Sequence, residues 1–105
     1  MQLVVTKVKL KPGSAKAFAQ LFKDTNPELV REEADWLGAR LVVDQENNVV
    51  TVLATWQNLD SYEALASSER FKTAMAGFAP FFASPPEITA HDILVDMTPA
   101  SIVGY

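Results

Sequence analysis

There is no cysteine in this chain of 105 residues, which excludes disulfides, thiolate nucleophiles and thiolate metal sites. Histidine is almost as scarce. His91 is the single one, and histidine is the residue type whose free side chain changes charge near neutral pH. The four glycines form no phosphate-cradling loop, and no Ser-His-Asp order or paired-carboxylate motif stands out. Nine basic residues against thirteen acidic ones give a formal net charge of -4. Only Lys7, Lys9 and Lys11 recur, at strand spacing, and they read as a solvated strand face. A nucleic-acid groove needs a basic stripe to neutralise phosphates, so no nucleic-acid partner is expected. Glu32, Glu33 and Asp35 have no histidine near them in sequence and read as a solvated helix end, so no metal site is expected. No apolar run approaches the ~20 residues of a membrane span. The segment from Met1 to Lys7 lacks the basic start and unbroken apolar core of a signal peptide. A cytoplasmic protein with no membrane association is the expectation.

What is present is an ordinary globular composition, 49% apolar and 21% charged. A chain of this size forms one domain and buries roughly two-thirds of the surface exposed by its unfolded form. Leu3 to Leu10 reads as a strand that ends at Pro12-Gly13, with Val4, Thr6, Val8 and Leu10 on one face. A helix capped by Ser14 follows, with Ala15, Phe18, Leu21 and Phe22 as its apolar stripe. Asn26-Pro27 looks like a fresh helix start, which predicts a broken or kinked pair of helices up to Glu33. Trp36 to Asp44 and Asn48 to Trp56 read as a hairpin across a polar turn. Asp60 and Glu63 stand at capping-box spacing with Leu59 as staple, and a second helix start falls at Ser67 or Ser68. Glu87 to Met97 reads as a last strand.

The resulting order is β-α-β-β-α-β, a ferredoxin-like α+β sandwich with an antiparallel four-stranded sheet. Its strands are apolar on both faces: Val50, Val52, Ala54 and Trp56 on one, Val49 and Leu53 on the other. Two helical regions cover one face of a four-stranded sheet, so a second subunit packing sheet to sheet in a homodimer is expected.

The segment Leu53-Ala54-Thr55-Trp56, then Asp60-Ser61-Tyr62-Glu63-Ala64-Leu65 and Ser68-Glu69-Arg70-Phe71, resembles the central signature of the antibiotic biosynthesis monooxygenase superfamily. Lys11-Pro12-Gly13 and Trp36-Leu37-Gly38-Ala39 are similar to the same pattern, and the likeness extends from Leu3 to about Asp96. It implies a domain over residues 1-97, with a tail over 98-105, that forms a dimeric α+β barrel with one pocket per protomer. Some members of the superfamily oxygenate aromatic or polyketide substrates with O2 alone; others degrade haem, isomerise or only bind small molecules. The haem-degrading branch uses an asparagine, a tryptophan and a histidine where this chain has Thr6, Trp56 and Met75. Another pattern puts a histidine where Leu65 stands. Only the tryptophan matches, so haem degradation is disfavoured and no cofactor is expected.

The functional expectation is a cofactor-independent monooxygenase for a small aromatic or polyketide-like molecule. A non-catalytic small-molecule-binding or stress-related dimer is the alternative. Trp56 and Thr6 are the candidate catalytic residues, the first stacking on the substrate ring and the second orienting an oxygen. Phe22, Trp36, Tyr62, Phe71, Met75 and Phe78 are the candidate substrate-binding residues, with Phe81 and Phe82 as possible additions. Each of these side chains also suits a small domain's core. By alternation His91 faces away from the pocket, and Arg40 reads as a rim residue.

Overall fold

The structure, a computed structural model, describes residues 1–102. Strands β1 (Gln2–Lys9), β2 (Trp36–Asp44), β3 (Val49–Trp56) and β4 (Glu87–Asp92) form one antiparallel sheet in the order β2-β3-β1-β4. Helices α1 (Ala15–Val30), α2 (Leu59–Ala66) and α3 (Glu69–Phe78) lie against one face, and a 3-10 turn, Ala79–Phe81, follows α3. This is the ferredoxin-like α+β arrangement that the sequence predicts. Val4, Val8, Val50 and Trp56 alternate onto the helix side and are buried there. Leu3, Val5, Val49 and Leu53 point to the opposite side and stay partly exposed, beside the exposed Val42.

The hairpin between β2 and β3 forms as expected. Asn48 takes a positive φ of 54°, which asparagine tolerates. The Asn47 side chain and backbone bond Asp44, holding its carboxyl below the usual carboxylate range. A bulge between Trp36 and Gly38 shifts the register of β2, and Gly38 absorbs it at φ 143°. Trp36 thereby faces Trp56 across the ladder.

The helices differ from expectation at a break and at a cap. The predicted break at Asn26-Pro27 is absent, since α1 runs 16 residues with Pro27 inside it and stops at Val30, short of Glu33. An interior proline costs ~3 kcal/mol in a helix. Here the apolar residues on both sides of it, Phe18 and Phe22 before and Leu29 and Val30 after, pack into one interior, which offsets that cost. The cap of α2 is Asn58, whose side chain accepts from the Asp60 amide at 2.9 Å, in place of the Asp60–Glu63 box. Leu59 becomes the first helical residue. The helix start at Ser68 is as predicted, its hydroxyl accepting from the Phe71 amide at 3.1 Å.

β4 is shorter than the predicted Glu87 to Met97, ending at Asp92. Gln2 pairs with Asp92, the Ile93 amide reaches the Met1 carbonyl, and β1 extends no further. Beyond that point Leu94 and Val95 are 91% and 75% exposed. Of the expected tail, Pro99–Ile102 forms one helical turn, and residues 103–105 lie outside the described residues. Among the described residues, no helix is long and apolar enough to cross a membrane.

Candidate functional site

Between the sheet and the helices the interior divides into two apolar clusters. One gathers Val4, Leu29, Val30, Trp56 and Leu65; the other gathers Val8, Leu10, Phe18, Val50 and Phe78. A cavity of about 110 Å³ lies where they meet. An engineered apolar cavity of ~150 Å³ takes benzene, so this space suits one ring, with anything larger extending through the mouth. Ile88, on the helix side of β4, lines the cavity yet is 50% exposed, and Ala90 beside it is exposed as well. The cavity therefore opens along the β4 edge.

Thr6, Phe22, Trp36, Trp56, Tyr62, Phe71, Met75 and Phe78 all border this cavity. Phe82 borders it too. Phe81 stands behind, stacking edge-on against Phe18 at 6.1 Å, while Phe18 and Phe78 meet at 4.9 Å to close that end. Met75 packs within the Phe18–Phe78 cluster, as a soft gap-filling side chain does. His91 lies opposite Leu3 on the other face of the sheet, exposed, with Nε2 2.9 Å from the Thr89 hydroxyl. Arg40 also sits on that outer face, at the rim of an open hollow of about 410 Å³ with Leu3, Leu37 and Leu53. Among the described residues, no three His, Asp or Glu side chains come together as metal donors.

Trp56 is 2% exposed, and its indole Nε1 has no hydrogen-bond partner. The Tyr62 ring stands edge-on to it at 5.7 Å and 64°. Burial, and then the Glu63 carboxylate, push the Tyr62 hydroxyl above its ordinary value, so it stays protonated and able to donate. The three aromatic residues at this end are tied through their chain neighbours. The Asp35 carbonyl accepts from the Gln57 amide at 2.7 Å, and its carboxylate accepts from the Ser61 hydroxyl. Asp35 precedes Trp36, Gln57 follows Trp56, and Ser61 precedes Tyr62, so one aspartate fixes three cavity walls relative to one another. A salt bridge from Arg70 to Glu33, at 3.3 Å, joins α3 to the same connection.

Asn26, expected as a helix cap, lies inside α1 and lines the cavity. Its spacing within the stripe Phe18, Phe22, Leu29 is the signal that could have found it.

Residues 1–77 match the sequence model of the antibiotic biosynthesis monooxygenases. The chain belongs to the antibiotic biosynthesis monooxygenase family. Among solved structures, this family member is similar to a candidate antibiotic biosynthesis monooxygenase of Caulobacter crescentus. The two are 26% identical over 90% of each chain, with a TM-score of 0.77. It also shares its fold with SnoaB, a cofactor-independent oxygenase from Streptomyces nogalater. That pair is 12% identical over 91% of this chain and 95% of SnoaB, with a TM-score of 0.75. Rv0793 of Mycobacterium tuberculosis is likewise 12% identical, over 92% of this chain and 98% of that one, with a TM-score of 0.74. No curated protein matches the chain in sequence. The family match ends inside α3, so Phe82, Pro86 and Ile88 at the mouth lie beyond it.

Proposed function

We propose that this family member is a cofactor-independent monooxygenase whose cavity holds a small aromatic substrate, and that it works as a cytoplasmic homodimer. The observation that carries the reading is the unpaired Trp56 Nε1 at a largely apolar cavity. A buried donor without a partner costs about 1–3 kcal/mol, a cost relieved when a bound ligand presents an oxygen to it. Family membership and the fold shared with a cofactor-independent oxygenase support the reaction class.

The substrate suited to such a site is a phenol or anthrone that ionises readily, since among the described residues no histidine or carboxylate borders the cavity to act as a strong base. Trp56 N–H and Tyr62 O–H donate to the substrate's anionic oxygen, while Thr6, four residues away along the sheet, faces the substrate's far edge. Preorganised donors of this kind in a dry site favour the charged form. The ionised substrate passes one electron to O2, the two radicals join through a new C–O bond, and the peroxide loses water. For an anthrone, one O2 converts the methylene to a carbonyl and releases one H2O, so atoms and electrons balance without another reductant.

Oxygen uptake with a panel of hydroquinones and anthrones tests the reading. Consumption of one O2 per anthrone supports it, and no uptake with any member overturns it. The second reading, a non-catalytic ligand-binding dimer, draws on the same missing base. It predicts no uptake, together with a rise in melting temperature when an aromatic ligand binds.

A further inference from the structure

On α1, Phe18, Phe22, Asn26 and Leu29 form one cavity-facing stripe, and Asn26 alone in it is polar. Across the cavity, on β1, Thr6 holds the matching position. Val4 before it belongs to the cluster around Trp56, and Val8 after it to the cluster around Phe18. Asn26 is placed the same way, between Phe22 of one cluster and Leu29 of the other. Among the described residues, neither the Asn26 nor the Thr6 side chain makes a hydrogen bond to protein, and both are half-buried. An amide in an apolar stripe breaks the pattern that packing favours, and such breaks concentrate where a ligand is read.

The geometry points to Asn26 as a specificity-determining residue. With Thr6 it forms a polar belt at the seam of the two clusters, and this belt selects ligands bearing a second hydrogen-bonding substituent. This rests on the reading of the cavity as a substrate site and deepens it. Thr6 pairs with Val52, four residues from Trp56 along β3 and so ~13 Å away in Cα terms. The indole spans part of that gap. A ligand with one oxygen at Trp56 Nε1 and a second polar group at its far edge therefore meets both partners. A ring with a single oxygen leaves Asn26 and Thr6 facing apolar surface.

The test is calorimetric binding, without oxygen, of naphthol and of a dihydroxynaphthalene with its hydroxyls on opposite rings. Wild type is expected to bind the diol about tenfold more tightly. In Asn26→Leu, close in volume, that preference disappears while naphthol affinity stays within about twofold, and the melting temperature rises because the stripe becomes apolar. Thr6→Val is expected to weaken the preference independently. If Asn26→Leu keeps the full preference, or wild type shows none, the assignment is overturned while the cavity remains a binding site. If the belt discriminates as stated but no substrate consumes oxygen, the oxygenase reading fails and the belt stands. Binding of neither naphthol to wild type overturns both.

Discussion

Trp56 is buried at the cavity and, among the described residues, owns the one unsatisfied buried side-chain donor. Its apolar body is held by Val4, Leu29, Val30 and Leu65, which explains its burial but leaves the indole N–H without a partner. That position was legible in the sequence, because strict alternation placed Val50, Val52, Ala54 and Trp56 on one strand face. Asn26 was not, because an asparagine before proline carries a strong local cap signal, and only long-range packing shows which face it joins. Tyr62 supplies a separate check on this end of the cavity. Its folded pKa is raised by burial, so the unfolded chain ionises first. The stability it contributes is fully present below pH ~10 and is lost as pH rises through the folded pKa. Urea midpoints from about pH 8 to 11 should therefore fall less steeply in Tyr62→Phe than in wild type. Parallel profiles would mean that the hydroxyl is as solvated in the folded state as in the unfolded one.

At the scale of elements, chain neighbours do the positioning. Asp35 joins the connection after α1 to both the end of β3 and the start of α2, and no local pattern announced this. Its partners, Gln57 and Ser61, lie far along the chain, so pairing follows from the sheet register and not from spacing. Replacing Ser61 with Ala removes one of the two ties. The melting temperature should fall by roughly 4–8 °C, as expected for ~1 kcal/mol in a domain of about this size. Affinity for an aromatic ligand should fall with it, since Tyr62 is released from its fixed angle to Trp56. A variant unchanged in both measurements would show that packing alone sets the walls. The length of β4 was equally hidden. Ile93, Leu94 and Val95 continue the apolar pattern, yet the strand ends at Asp92, and pattern alone does not mark where ladder pairing stops.

For the whole molecule, the order of elements and the antiparallel sheet were readable from periodicity and turn signals, because hydrophobic pattern and topology agree. The outer sheet face, with Leu3, Val5, Val42 and Leu53, and the exposed Leu94 and Val95 are apolar surface that one chain does not cover. In the proposed homodimer a second copy packs on that face and covers both. Sedimentation at micromolar concentration should give twice the 11.5 kDa chain mass, and Leu53→Lys should shift the population to monomer with the cavity intact. A wild-type monomer at that concentration would remove the dimer from the account.

In the proposed reaction, Trp56 N–H engages a substrate oxygen during oxygenation. The rate of oxygen consumption with an anthrone, compared between wild type and a folded Trp56→Phe, tests that contact. Loss of a preorganised donor predicts a rate lower by a factor of about 10²–10³, with the ring still bound. A variant that consumes oxygen at the wild-type rate would contradict the claim and return Trp56 to the role of a core anchor.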